Sequence, residues 1–366
     1  MKKILLSLIY GIILALVGSA LAEYQSTINL LPASAQPNAK QILKPVRELT
    51  ICSQNLHRYG DAGSKGAKRK KQREYLTGRF VEAECDLVAL QEVIGKTIRQ
   101  SQSILDELVK NLNQRSGRRF VALTGPSNDE SIRNAWLVDE NKTKPIAMLS
   151  LKQDLLPKLQ KNMPPAYYSR GPLLLRIEVP IVNGSKKLAL INFHLKSKAN
   201  SWKDPFKSQF EHLRLQMAAG LYNSASQITK SEPQTMVILA GDRNTTQKSP
   251  SHIVLSGKRP ISDFSSSGYC RITNQAESTC LAQPPGLKQN STKDRPLFMG
   301  AIQSQFTKEI NSGDLGSYRF RGRYELIDEI YLPSDSLTPK QVKSGFAGKI
   351  GEGSDHLLVW TRLRLN

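Results

Sequence analysis

Residues 86–93 read Asp86-Leu87-Val88-Ala89-Leu90-Gln91-Glu92-Val93, an unbroken apolar run that stops on an amide and a carboxylate. Four apolar residues in succession suit a strand covered on both faces, because a half-exposed strand would alternate with polar positions. Similar runs recur at Leu49-Thr50-Ile51-Cys52, Leu188-Ala189-Leu190-Ile191 and Met236-Val237-Ile238-Leu239, and further strands are expected over residues 325–332 and 357–365. Asn183-Gly184, between the runs 173–182 and 187–195, is a two-residue hairpin signal. Helical stretches lie between the strands. Ile104, Leu105, Leu108 and Leu112 share one face of residues 97–113. Asp204 and Pro205 open a second helix carrying Phe206, Phe210, Leu213, Met217 and Leu221 at helical spacing. Mixed strands with interleaved helices point to an α/β or α+β layered sandwich.

The rest of the composition is compatible with that reading. In 366 residues, 39% are hydrophobic and 23% charged, which excludes a wholly disordered, collagen-like or multi-span membrane chain. The formal charge of +21 favours a polyanionic partner (nucleic acid, anionic lipid or an acidic wall polymer) over a merely basic surface. Lys2 and Lys3, the apolar run from Ile4 to Val17 and Ala20-Leu21-Ala22 read as a secretory leader over residues 1–22. The alternative is an uncleaved membrane anchor. Residues 23–46, rich in Ala, Gln, Pro and Ser, read as a flexible lead-in to one domain over residues 47–366. An exported chain keeps disulfides. Cys270 and Cys280 bracket a polar turn and are expected to be bridged, whereas Cys52 and Cys85, in or beside apolar strands, read as free packing residues.

What each apolar run stops on is more informative. The first ends in Gln54-Asn55, the second in Gln91-Glu92, the third in Asn192-Phe193-His194 and the fourth in Gly241-Asp242-Arg243-Asn244. Asp328 lies in the fifth, and Ser354-Asp355-His356 leads into the sixth. If the last strand runs opposite to the others, its beginning meets their ends at one rim, where loops are free to carry ligand sites. Singly, these residues have plain structural readings: a turn for Asn55 or Asn244, a solvated strand end for Glu92, a satisfied half-buried histidine for His194. Their coincidence at every strand end argues for a site. Lys65, Lys68, Arg69, Lys70, Lys71 and Arg73 follow Asn55 closely and either grip a nucleic-acid backbone or form a solvated helix entry. Arg319, Arg321 and Arg323 alternate with Tyr318, Phe320 and Tyr324 as on a single strand with a basic face, and His57, His212 and His252 read as solvent-facing or locally satisfied.

The ordered set of Ser53-Gln54-Asn55, residues 86–93, Phe193-His194, residues 241–244, Ile327-Asp328 and Ser354-Asp355-His356 resembles the endonuclease/exonuclease/phosphatase superfamily, the deoxyribonuclease I-like proteins, from about Glu48 onward. The resemblance implies a four-layer α/β (α+β) sandwich of two packed mixed β-sheets flanked by helices, and divalent-metal hydrolysis of phosphate esters. It implies Glu92 as the principal metal carboxylate, Asn55 beside it on metal or phosphate, and Asp355 as a further acid near the metal. Asp242 and Asn244 match a pair that orients the attacking water and holds the phosphate. His356 matches a histidine paired with Asp328, His194 a second histidine of the deoxyribonuclease I and sphingomyelinase branches, and Arg170 a phosphate-contacting arginine. Two positions depart from the pattern. Arg243 replaces an aromatic or apolar residue, where it either reaches substrate phosphate or reflects a more open wall. The carboxylate expected behind His194 has only Asp129 and Glu130 as nearby candidates.

The expected molecule is an exported, periplasmic or secreted, monomeric phosphodiesterase using Mg²⁺ or Mn²⁺, with Ca²⁺ as a further structural ion. Its expected substrate is nucleic acid, DNA before RNA, cut with little sequence preference by water activated between two histidines. No stable protein partner is implied, nor permanent membrane association once the leader is removed. The rivals are a sphingomyelinase-like phospholipid phosphodiesterase, which would enter a bilayer through residues 284–299, and a catalytically silent nucleic-acid-binding or adhesion protein.

Overall fold

The computed structural model describes residues 43–60, 66–159, 163–204, 208–264, 298–320, 322–336, 338 and 340–365. The expected leader, most of the lead-in and the Cys270–Cys280 bridge lie outside these residues. Fourteen strands are described: β1 (Glu48–Tyr59), β2 (Leu87–Ile94), β3 (Phe120–Thr124), β4 (Ile132–Asp139), β5 (Lys144–Ser150), β6 (Leu173–Ile181), β7 (Gly184–His194), β8 (Thr235–Asp242), β9 (Phe298–Gly300), β10 (Tyr318–Phe320), β11 (Arg323–Glu325), β12 (Asp328–Pro333), β13 (Val342–Ala347) and β14 (Leu358–Arg364). One six-stranded sheet has the order β13-β14-β1-β2-β4-β3 and the other β5-β6-β7-β8-β12-β9. Both are mixed. β1 runs parallel to β2 and antiparallel to β14, and β7 runs parallel to β8, which is antiparallel to β12.

The continuous apolar runs have a direct physical cause: both faces of the central strands are covered. Alternate residues Leu49, Ile51, Leu87, Ala89, Leu188, Leu190, Ile238, Ala240 and Ile330 fill the core between the sheets. Their neighbours Cys52, Val88 and Leu90 face a second core under helices α1 (Ala67–Glu82) and α2 (Ile98–Ser116). On the far side Ala189, Ile191, Phe193, Val237 and Leu239 pack against α3 (Glu211–Ser231). Helices, sheet, sheet and helices make the four layers expected. Thr97 caps α2, its side chain accepting from Gln100 N at 3.1 Å, and the helix runs three residues past the expected end. The hairpin joins β6 to β7 with Ile181 paired to Gly184, whose φ of 120° suits a glycine.

Three expectations on local structure are corrected. The helix expected from Asp204-Pro205 begins instead at Glu211, because Phe210 takes φ 63° and Asp204 Oδ2 accepts from Ser208 N and Phe210 N, holding a turn ahead of the helix. Residues 318–320 and 323–325 are not one strand but the paired β10 and β11, and because Arg319 pairs with Tyr324 and Arg323 with Phe320, these two arginines lie on opposite faces. Cys52 and Cys85 are not free; they form a disulfide with Cα atoms 5.9 Å apart. Parallel pairing of β1 with β2, which sets Ile51 opposite Leu87, brings the two cysteines together under the helices.

The bridge closes a loop across a sequence separation of 33 residues. Loop-closure entropy of that span is worth about 3–4 kcal/mol. Reducing the protein is therefore expected to lower its urea midpoint markedly, and Cys52→Ala/Cys85→Ala to reproduce the shift; equal midpoints with and without reductant would contradict the bond's structural role. No helix among the described residues is long and apolar enough to cross a membrane.

Candidate active site

The period of two that builds the inter-sheet core also builds the site. On β1 the inward series Leu49, Ile51 continues to Ser53 and Asn55; on β7 Leu188, Leu190 continues to Asn192 and His194. On β8 Ile238, Ala240 leads to Asp242, and on β12 Asp328 precedes Ile330 and Leu332. The core thus turns polar toward one rim without any strand changing direction. Between the sheets the change is already made by Gln91 and Asn192, with Gln91 Nε2 donating to Asn192 Oδ1 at 2.8 Å and Asn192 Nδ2 to Leu90 O and Ala135 O.

Glu92 is out of phase with this series, and the backbone corrects it. The β2 register shifts between Leu90 and Val93, and Glu92 takes φ 61°. Such a bulge re-aims a side chain at a sheet rim. A matching irregularity between Asn55 and Tyr59 places His57 and Arg58 at φ 50° and 56°, and Arg58 N donates to Glu92 Oε2 at 3.0 Å. Asn55 Nδ2 then reaches Glu92 Oε1 at 3.3 Å and Asp242 Oδ2 at 3.0 Å, joining two strands of different sheets.

Two histidines flank these carboxylates. His194 Nε2 lies 3.4 Å from Asp242 Oδ2 and 4.0 Å from Glu92 Oε1. Burial holds its pKa well below the usual value, and the charges of Arg170, His356 and Lys196 push the same way, so the ring is neutral. His356 Nδ1 bonds Asp328 Oδ2 at 2.6 Å. Burial opposes its charge but is overcome by the Asp328 carboxylate, with Asp242 and Asp355 assisting, and its pKa rises to about 10. Asp242, buried and beside Asp328, is pushed up to about 7. One neutral and one protonated imidazole therefore face each other across an acidic floor.

The structure brings together Asn55, Glu92, His194, Asp242, Asp328 and His356. Asn244, at φ 53°, folds back to Asp242, its N donating to Oδ1 at 2.7 Å and its Nδ2 to Leu195 O at 3.0 Å. Arg170 is buried; Nη1 donates to Leu195 O at 3.0 Å while Nε has no partner among the described residues. Asp355 is set apart from Asp242 and Asp328. Its side chain is 40% exposed, 3.6 Å from His57 Nδ1 and 3.9 Å from His356 Nε2.

The donors suit a hard divalent cation. Asp242, Asp328 and His356 each offer an atom within 4.8 Å of the others, and buried Asp328 Oδ1 lacks a partner among the described residues. Carboxylate oxygens are the ligand chemistry of Mg²⁺ or Mn²⁺; Asn55 turns its Nδ2 to Glu92 and Asp242, while its Oδ1 accepts from His57 N at 2.9 Å.

Several site expectations are corrected. Arg243 neither reaches toward substrate nor opens a wall. One residue beyond Asp242, it falls on the opposite face, fully buried, where Nη1 meets His252 Nδ1 and Tyr331 Oη and Nη2 donates to Leu326 O. Neither Asp129 nor Glu130 backs His194. Asp129 Oδ1 accepts from Ser131 N and Ile132 N, and His194 Nδ1 has no hydrogen-bond partner among the described residues. His212 and His252 are buried with local partners, and His57 is the exposed one. Of the stretch expected to enter a bilayer, residues 284–297 lie outside the described residues and Phe298 is buried in β9.

Sequence reasoning missed the residues that hold the site together. Arg79 of α1 donates through Nη1 to Gln54 Oε1 and His356 O, and through Nη2 to Lys349 O and Glu352 O. Ser317 holds both halves of the His–Asp pair: its Oγ accepts from Asp328 N at 2.9 Å and its carbonyl from Leu357 N at 2.7 Å. Tyr318 places its ring centroid 5.1 Å from that of His356. No local pattern marks these residues, since each acts on a partner distant in sequence.

No protein-family model matches the sequence, and no curated protein matches it. Solved structures do. The human Nocturnin catalytic domain with a bound sulfate anion shares 12% identity at a TM-score of 0.51, covering 90% of this chain and 100% of that one. An endonuclease/exonuclease/phosphatase from Bacteroides vulgatus shares 12% at 0.51, covering 87% and 99%. A family protein from Bacteroides thetaiotaomicron shares 11% at 0.51, covering 88% and 99%. At this identity the likeness is one of fold: this chain has the fold of these Nocturnin and endonuclease/exonuclease/phosphatase structures.

Proposed function

We propose that the chain is an exported, metal-dependent phosphodiesterase that hydrolyses nucleic acid. The observation that carries this reading is Asn55, whose amide touches both Glu92 and Asp242, inside a ring closed by His194 and the His356–Asp328 pair. Phosphodiester hydrolysis makes a new P–O bond from water and breaks the bond to the leaving oxygen. Water loses a proton and the leaving oxygen gains one, and a neutral His194 with a protonated His356 supplies both needs. Asp242, with Asn55 and Asn244, orients water and phosphate, and Arg170 offsets charge that builds on the phosphoryl oxygens. Glu92 and Asn55, with Asp355 at the outer edge, would hold Mg²⁺ or Mn²⁺, which supplies Lewis-acid polarisation of the phosphate when bound. The +21 charge favours a polymer of phosphates as substrate. The Cys52–Cys85 disulfide fits an oxidising compartment and supports export.

The test is incubation of the protein with plasmid, RNA and sphingomyelin vesicles, with Mg²⁺ or Mn²⁺ and with EDTA. Plasmid cleavage abolished by EDTA is expected, and Glu92→Gln is expected to weaken Mn²⁺ binding by titration calorimetry about tenfold or more while lowering cleavage at least 100-fold. Cleavage of lipid alone would overturn the nuclease reading, and DNA retained but never cut with any divalent metal would overturn the enzyme.

A further inference from the structure

The basic run after Asn55 divides in two once it is wound into α1. Arg69 and Arg73 face α2, 3.6 Å and 2.7 Å from the Glu107 carboxylate. Lys68, Lys71, Gln72 and Tyr75, spaced i, i+3, i+4 and i+7, turn the other way and line a cleft of about 620 Å³. Its opposite wall is the Gly351–Asp355 loop, and His57 and Arg58 form its floor. The cleft therefore opens directly beside Asp355 and the bulge that presents Glu92.

The chemistry inside is mixed in an informative way. Lys68 and Lys71 are exposed ammonium groups, and Lys71 Nζ stands 5.7 Å above the Tyr75 ring. Gln72 is 91% buried; its Nε2 donates to Leu56 O and Gly353 O, each at 2.9 Å, which fixes the amide's orientation. Its Oε1 is sealed from solvent and without a partner among the described residues, so Gln72 shapes the cleft wall by tying α1 to Leu56 and the Gly353 loop. Two acids share the cleft. Glu352 acts electrostatically on the Arg79 guanidinium, and Asp355 Oδ1 lies 3.6 Å from His57 Nδ1.

We propose that this cleft is a nucleotide subsite flanking the scissile phosphate, in which Lys68 and Lys71 bind a neighbouring phosphodiester and Tyr75 offers a ring to its base. The proposal rests on the nuclease reading and narrows its substrate to a chain of at least two phosphates. A single-phosphate ester fills the catalytic rim but leaves this cleft empty.

The experiment compares wild type with Lys68→Ala/Lys71→Ala on two substrates, a 12-nucleotide single strand and bis(p-nitrophenyl) phosphate. In the variant KM for the oligonucleotide is expected to rise about tenfold with kcat little changed, and its salt dependence to flatten by about 1.4 log units per log unit of salt, the release expected for two lost phosphate contacts. The loss should be confined to the longer substrate, and Lys68→Arg/Lys71→Arg should restore it. Oligonucleotide binding in EDTA, followed by fluorescence anisotropy, gives the same comparison without turnover. Unchanged anisotropy, KM and salt slope in the alanine variant overturn the subsite. Failure of the wild type to cut either substrate overturns the nuclease reading instead, and the anisotropy comparison still decides the cleft.

Discussion

His356→Ala and His194→Ala are each expected to lower plasmid cleavage by about 10³-fold, with the fold retained by circular dichroism; general acid–base catalysis contributes on the order of 10²–10⁴. The two losses have different physical origins. His356 is charged because Asp328 lies 2.6 Å from Nδ1, so the nitrogen that exchanges a proton with substrate is Nε2. Asp328→Asn keeps the shape of that pair but offers an amide where a carboxylate held the ring, and it is expected to lose as much activity as His356→Ala. The double variant should lose little more, since the two residues act as a unit. His194 is neutral by burial, and Nε2 faces Asp242 at 3.4 Å, so His194→Ala removes an uncharged imidazole beside that carboxylate without disturbing the His356–Asp328 pair. Near-normal cleavage by either folded alanine variant would remove that histidine from the mechanism. Because His356→Ala leaves the buried Asp328 Oδ2 without its ring partner, His356→Asn, whose amide can donate a hydrogen bond, serves as the second variant should the alanine protein be unstable.

Arg79→Met is expected to destabilise the protein by about 3 kcal/mol and to lower kcat at least tenfold while leaving KM nearly unchanged. The side chain is 3% exposed and donates to four oxygens, one of them the His356 carbonyl, and Gly348 leaves room for it where a Cβ would lie 2.2 Å from Nε. Burial lowers its pKa to about 10, still far above neutrality, so the charge persists. Removing it strands carbonyls of the 349–356 loop and frees the approach to β14, which carries His356. Arg79→Lys should not rescue, because one ammonium cannot span the fork that reaches Gln54, Lys349, Glu352 and His356. A urea midpoint and kcat both equal to wild type would show that the loop holds without it.

Much of this was legible in residue order alone. The apolar runs at 49–52, 87–90, 188–191 and 236–239 identify strands covered on both faces because a strand with one wet face would alternate with polar residues, while successive side chains still point to opposite faces with a period of two. The polar residues at their ends follow the same period from core to rim. Asn55, His194 and Asp242 were therefore visible as inward-facing positions, and His356 as the residue leading into a strand of opposite direction. Glu92 was visible by type but not by geometry: its place in the site depends on a bulge that shifts β2 against β4.

What tertiary structure decided is pairing across distance. Cys52 and Cys85 read as separate buried thiols until β1 and β2 lie side by side and bring them into a bond. Arg243, beside Asp242, read either as reaching substrate phosphate or as a more open wall, yet strand alternation points it into the far core against Tyr331 and His252. Arg79 and Ser317 carried no local signal, because their partners, His356 and Asp328 among them, are brought within reach by the packing of α1 and the β10–β11 hairpin against strands from elsewhere in the chain. Local periodicity is written by which face each side chain must bury; hydrogen bonds and disulfides between distant segments form only after those faces have met.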